Sequence, residues 1–129
     1  MSESLREKSN KRVLVLANND VGLYRFRKDL LLTLLNAGHE VYISLPNGNF
    51  IPELVRYGCR FLDTPIDRRG MNPVRDAKLF RQYSAMLKKV RPDLVLTYTI
   101  KPNIYGGLAC RMARIPYAVN ITGLGSAIE

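Results

Sequence analysis

"RVLVLANNDVGLYRF", residues 12–26, decides the fold. Val13 to Ala17 form a continuous apolar run with β-branched members, closed by Asn18, Asn19 and Asp20, which is the pattern of a buried strand. From Leu23 onward the spacing turns helical. Leu23, Phe26, Leu30 and Leu34 fall on one stripe, Leu31 and Leu35 lie beside it, and Gly38 ends the segment. A short strand running into a helix is how nucleotide-binding folds open. Yet Gly22 stands alone where a dinucleotide fingerprint needs three glycines for its tight turn and its close approach to pyrophosphate. A P-loop is also absent, and the Asp20 carboxylate would repel phosphate. Asn18, Asn19 and Asp20 can hydrogen-bond hydroxyl groups, or they can cap the helix that follows. The sequence leaves both readings open.

The same alternation continues along the chain. "EVYISL" (40–45) reads as a second strand, Ile51–Tyr57 as a short helix stopped by Gly58, and "CRFLDT" (59–64) as a third strand. "PIDRRGMNP" (65–73) is a loop by composition. A helix is expected from about Val74 to Val90, with Leu79, Tyr83, Met86, Leu87 and Val90 inward and Lys78, Arg81, Lys88 and Lys89 outward. Arg91-Pro92 breaks it. "DLVLTYT" (93–99) is the fourth strand, a helix follows from about Asn103 to Ala113, and "PYAVNIT" (116–122) is the fifth strand. This rhythm predicts an α/β fold, a Rossmann-like layered parallel sheet in strand order 3-2-1-4-5 with right-handed crossovers. A topological switch then lies between strands 1 and 4, and ligands gather at the carboxyl ends of strands beside such a switch. "NNDVGL", "TYTIKPN" and "NITGLG" would line that crevice. The segment after strand 5, "GLGSAIE", supplies no helix to cover it, so the sheet is expected to be cut off mid-fold or to lean on a partner.

Composition narrows the function. The 129 residues suffice for one domain with a core, residues 12–129, preceded by a polar lead-in at 1–11. "MSESLREKSNKR" has no apolar centre and so is no secretory signal, and no apolar run is long enough to span a bilayer. Cys59 and Cys110 are expected to be free buried thiols. With one histidine, His39, placed structurally beside a helix end, no metal site is expected. The net charge of +9 favours polyanions. Its basic residues are spread over several helices without a reading motif, which argues against nucleic acid. Arg25, Lys28 and Leu32 point away from the first helix's core stripe, to rest on an anionic membrane or in solvent. Arg68 and Arg69 can grip a phosphate in bidentate fashion. Thr99 and Lys101 end strand 4, and Asn103 would open a helix whose first amides attract anions.

"VLVLANNDVGLYRFRKDLLLTLLNAGHEVYISLP", "FLDTPIDRRGMNP", "RPDLVLTYTIKPNIYGG" and "NITGLG", in this order, resemble the N-terminal domain of retaining family 4 glycosyltransferases of bacterial capsule and lipid-linked oligosaccharide synthesis. The resemblance runs from about Lys11 to Glu129. It implies one half of a GT-B fold, with the active site in a cleft between two Rossmann-like halves. This half would hold a glycan or polyprenyl-diphosphate-linked acceptor. The donor nucleotide-sugar would be bound by a C-terminal domain absent here or by a partner chain. By the same resemblance Asn19, Gly22, Arg68, Arg69, Thr99, Lys101, Asn103, Thr122 and Gly123 would meet substrate. No cofactor is implied, and the location would be cytoplasmic, peripheral at the inner membrane face. The chain departs from the family pattern at two points. Tyr98 and Thr122 stand where many relatives carry histidine, so no histidine base carries over. Such transferases are thought to let the departing diphosphate help accept the acceptor's proton. If this half holds a catalytic carboxylate, Asp20 is the candidate. The other reading is a stand-alone binding or partner subunit of a split glycosyltransferase, without activity of its own. A fragment of an NAD-dependent enzyme is disfavoured by "NNDVGL".

Overall fold

The computed structural model describes residues 10–66 and 72–120. In chain order they form β1 (Arg12–Leu16), α1 (Asp20–Asn36), β2 (Glu40–Leu45), α2 (Ile51–Tyr57), β3 (Arg60–Asp63), α3 (Pro73–Val90) and β4 (Leu94–Tyr98). A π-type turn at Pro102–Gly106 then leads into α4 (Gly107–Ala113), and β5 (Tyr117–Asn120) follows. All strand pairs are parallel and the order is β3-β2-β1-β4-β5, as expected. Register puts Val13 between Val41 and Leu94, and Leu16 between Ser44 and Thr97.

The period of two along β1 sorts the core into two layers. Val13, Val15 and Ala17 face α1 and α2, where they pack with Val41, Ile43, Leu45 and Leu54. Leu14 and Leu16 face α3 and α4, where they pack with Leu79, Tyr83, Leu87 and Val95. A strand buried on both sides reads as an unbroken apolar run, which is why β1 was so legible. Cys59 and Cys110 are free and buried in opposite layers, one on each side of the sheet.

The inward face of α1 differs from the expected stripe. Leu23 and Leu31 are buried, but Phe26 is 76% exposed and Leu30 is also exposed. The helix is rotated so that Arg27, not Phe26, faces the sheet, with its guanidinium 4.9 Å from the centre of the Tyr98 ring. Met86 of α3 is only partly buried. α3 begins one residue earlier than expected, at Pro73, because Asn72 caps it by accepting from Val74 N at 3.1 Å and Arg75 N at 3.2 Å.

The helix after β4 also starts earlier than expected. Helical backbone begins at residue 100, so Asn103 lies inside the π-type turn and does not open the helix. Pro102 is tolerated there because a first-turn N–H has no intrahelical partner to lose. A Cβ on Gly106 would lie 2.4 Å from Leu16 Cδ1, so this turn packs onto β1 only because that side chain is absent. β5 is short, and its Ala118 and Val119 are exposed. No helix among the described residues covers both faces of that strand.

Candidate functional site

β1 and β4 are neighbours with their carboxyl ends level, so the loops that leave them run side by side. Asn19, Asp20 and Gly22 come from the first loop, Thr99, Lys101 and Asn103 from the second. These six expected site residues therefore share the switch-point edge. Arg68, Arg69, Thr122 and Gly123 lie outside the described residues.

The first loop is heavily committed to structure. Asn19 is the cap of α1, its Oδ1 accepting from Gly22 N at 2.7 Å, while its Nδ2 donates to Asn18 Oδ1 at 2.7 Å. Capping and hydroxyl recognition thus compete for the same side chain. Asp20 is buried, and its Oδ2 accepts from Phe50 N at 2.7 Å. That bond ties the start of α1 to the loop after β2, where the Phe50 ring stacks on Tyr24 at 4.5 Å. Asp20 Oδ1 accepts no hydrogen bond from the described residues.

The second loop carries the one strained backbone position at this edge. Thr99 adopts φ 73°, a left-handed conformation unusual for a β-branched residue, and its hydroxyl donates to the Tyr98 carbonyl. Asn103 N returns to Thr99 O at 2.9 Å, and Asn103 Nδ2 donates to Asn120 O at 3.0 Å, which pins the turn to β5. Asn103 Oδ1 is buried without a partner among the described residues. Burial pushes the Tyr98 phenol above its ordinary value, with Arg27 opposing. It stays protonated at neutral pH and cannot stand in as a base.

Lys101, expected to meet phosphate, is paired with a carboxylate in this structure. Its Nζ lies 2.8 Å from Asp76 Oδ1, with the two side chains only 14% and 9% exposed. Tyr105 Oη donates to the other oxygen, Asp76 Oδ2, at 3.0 Å. The hydrogen bond from Lys101 does most to hold the Asp76 carboxyl below its usual range, burial opposes it, and Tyr105 adds to it. The same contact with Asp76 raises the Tyr105 phenol. An anion at Lys101 must therefore share the ammonium with a carboxylate already in place. Asp76 and Tyr105 were missed in the sequence. Asp76 had one signal: it is the only acid of α3, and it stands four residues after the capping Asn72.

Beside this pair a cavity of about 470 Å³ opens between the end of β3 and the first turns of α3. It is lined by Pro65, Ile66, Asp76, Lys78, Leu79 and Gln82, among others. Its lining mixes apolar side chains with polar groups of both signs. No group of histidine, cysteine or carboxylate side chains among the described residues has the arrangement of a metal site.

The family model described as glycosyl transferase 4-like matches residues 12–128. The chain belongs to that family. It is 28% identical over 116 residues to the N,N'-diacetylbacillosaminyl-diphospho-undecaprenol α-1,3-N-acetylgalactosaminyltransferase of Campylobacter jejuni, covering 89% of this chain and 31% of that protein. This family member thus spans about a third of the length of the curated relative it matches. Among solved structures it is similar to a glycosyltransferase from Rickettsia africae, with TM-score 0.75, 18% identity and coverage of 88% of this chain and 30% of that one. It is also similar to the C-terminal domain of a Pyrococcus furiosus hydrogenase, with TM-score 0.67, 13% identity and coverage of 86% and 91%. At such identities the likeness is one of fold, and the second case shows the fold serving other chemistry.

Proposed function

We propose that this chain is the acceptor-side half of a retaining glycosyltransferase. It would act in the transfer of a sugar from a nucleotide-sugar donor to a glycan or polyprenyl-diphosphate-linked acceptor. The match of the glycosyl transferase 4-like model to nearly the whole chain carries this reading. The name of the Campylobacter relative supports the acceptor class and favours an N-acetylhexosaminyl or hexosyl group as the sugar moved.

The edge chemistry is consistent with an acceptor half. In "NNDVGL" the side chains cap a helix and hold a neighbouring loop, leaving no glycine-rich cradle for a donor pyrophosphate. In this reading the donor wall comes from a further domain or a partner chain that packs over β4 and β5. Asn19, Gly22, Thr99, Asn103, Thr122 and Gly123 border the acceptor hydroxyls. Arg68, Arg69 and Lys101 meet phosphate, Lys101 by sharing its charge with Asp76. During transfer the anomeric carbon's bond to the diphosphate breaks and a bond to the acceptor oxygen forms. The acceptor proton leaves with the diphosphate, and Asp20 Oδ1 orients the hydroxyl.

Combining the chain with a donor-binding domain tests this. Transfer from a nucleotide-sugar to a synthetic polyprenyl-diphosphate-linked saccharide is expected from the pair and not from the chain alone. Tight capture of a UDP-sugar by the chain alone, with amide protection at residues 19–22, would overturn it.

A further inference from the structure

The loop after β2 carries an aromatic stack that neither the core nor the expected site residues account for. Phe50, the residue ahead of α2, stacks on Tyr24 of α1 with ring centroids 4.5 Å apart and planes 18° apart. Lys28 Nζ lies over the same Tyr24 ring, 4.9 Å from its centre. Phe50 is bonded to Asp20, four residues before Tyr24, whereas Lys28 stands four residues after it. The two therefore approach Tyr24 from opposite ends of the helix and take opposite faces of its ring. Lys28, expected to point outward from α1, is thus half-buried in this stack, and Leu32 is also half-buried.

The order Lys28, Tyr24, Phe50 leaves one aromatic face unused. Tyr24 is covered on both sides and Phe50 on one. Phe50 is only half-buried, so its remaining exposure lies on the side of the ring away from Tyr24. That face is fixed twice. Asp20 Oδ2 accepts from the Phe50 amide at 2.7 Å, and the Tyr24 ring backs the side chain. A ring held in place before binding loses little freedom when a ligand lands on it. Its loop neighbours Asn47 and Asn49 are exposed, and Asp20 Oδ1 accepts nothing from the described residues. The whole group sits on the β2 side of β1, the side opposite β4 and β5.

We propose that the open face of Phe50 is the platform on which a pyranose ring of the acceptor glycan stacks, which makes Phe50 a specificity-determining residue of the acceptor site. This rests on the acceptor-half reading above. The π-face of phenylalanine is negative, and the C–H bonds on a pyranose face are apolar and weakly positive, so the two faces attract. Amides and a carboxylate in the same loops supply acceptors and donors for the ring hydroxyls. A nucleobase can stack on a phenylalanine too, but the diphosphate attached to it would meet the Asp20 carboxylate and no cradle of backbone amides. Lys28 is shielded from this face by two rings and gives an anion no partner there. The neutral sugar is the ligand this chemistry fits.

The test watches the ring itself and needs neither donor nor transfer, so its failure is distinct from failure of the acceptor-half reading, which the transfer assay decides. Methyl glucoside, methyl N-acetylglucosaminide and methyl N-acetylgalactosaminide are titrated into the 129-residue chain while the Phe50 ring protons are followed by NMR, with uridine as the rival stacker. At least one pyranoside is expected to shift those protons and to show nuclear Overhauser contacts to them, and uridine is not. Phe50→Leu keeps apolar volume without a π-face and should weaken that binding about tenfold at unchanged circular dichroism, whereas Phe50→Tyr should stay within about twofold of wild type. In the chain paired with a donor-binding domain, Phe50→Leu should raise KM for the saccharide acceptor about tenfold and leave KM for the nucleotide-sugar unchanged, a split that a merely structural role would not produce. If Phe50→Leu fails to fold, the contacts to the wild-type ring carry the test. A pyranoside panel that leaves the Phe50 ring unmoved would overturn the proposal. So would uridine contacting the ring in place of the sugars, or sugar binding that Phe50→Leu does not weaken.

Discussion

Lys101 and Asp76 meet at 2.8 Å, Nζ to Oδ1, and so tie the turn after β4 to the first turn of α3. The pair makes a pH prediction whose sign is fixed. Asp76 titrates below its unfolded value of 3.8, held there first by Lys101, so its stabilisation is complete above that value. It is lost as pH falls through the lower folded value. Asp76→Asn should therefore melt several degrees below wild type at neutral pH. The gap should close as the pH drops below about 4, because the wild type then loses the same charge. Thermal melts of the two proteins across that range check it.

How legible this pair was in the sequence illustrates a wider division. The inner strands β1, β2 and β4 could be read because they are mostly apolar and largely buried, so burial writes the pattern, whereas the edge strands β3 and β5 are half-exposed and read more weakly. β2 and α2 have the expected boundaries. The inward face of α1 misled because a charged residue occupies it. Arg27 of α1 reaches the Tyr98 ring of β4, a contact that only tertiary packing reveals, and apolarity alone preferred Phe26. The Asp76 partner of Lys101 was not legible for the same reason. It lies 25 residues away on another helix, and nothing in local spacing joins them.

Gly106 sets how close the turn after β4 comes to the sheet. A methyl group there would meet Leu16 Cδ1 at 2.4 Å and Thr97 Cγ2 at 3.4 Å. Leu16 is fully enclosed and has no room to swing aside. Gly106→Ala should cost about 1–3 kcal/mol, the usual penalty of overpacking a filled core. Urea unfolding measures it. Leu16→Val in the same background should recover part of the loss, a non-additivity expected of residues in contact.

Cys59 and Cys110 should be silent towards thiol reagents in the folded protein. Burial pushes each thiol up to about 11, so almost none is thiolate at pH 8, and the thiolate is the reactive form. The sheet separates them, which prevents a disulfide without unfolding. A chromogenic disulfide reagent should register no fast-reacting thiol in buffer and two after addition of guanidinium. A fast stoichiometric reaction in buffer would contradict the burial.

Asp20 is where stability and function can be separated. Its Oδ2 holds Phe50 N, and a Cβ on Gly48 would fall 2.3 Å from Oδ1, so the carboxylate sits where it does only because Gly48 has no side chain. Asp20→Ala leaves the Phe50 amide without its acceptor and should cost about 1–2 kcal/mol. Asp20→Asn retains an acceptor oxygen and should unfold near the wild-type midpoint. Gly48→Ala should destabilise by displacing the carboxylate. Activity of the chain paired with a donor domain then distinguishes the two roles. If Asp20 only orients a hydroxyl and holds the loop, Asp20→Asn loses less than about tenfold in kcat, whereas removing a general base costs about 10²–10⁴. We expect the smaller loss, because an acid committed to a backbone amide is poorly placed to accept a proton. A loss in the larger range at unchanged stability would make Asp20 the base.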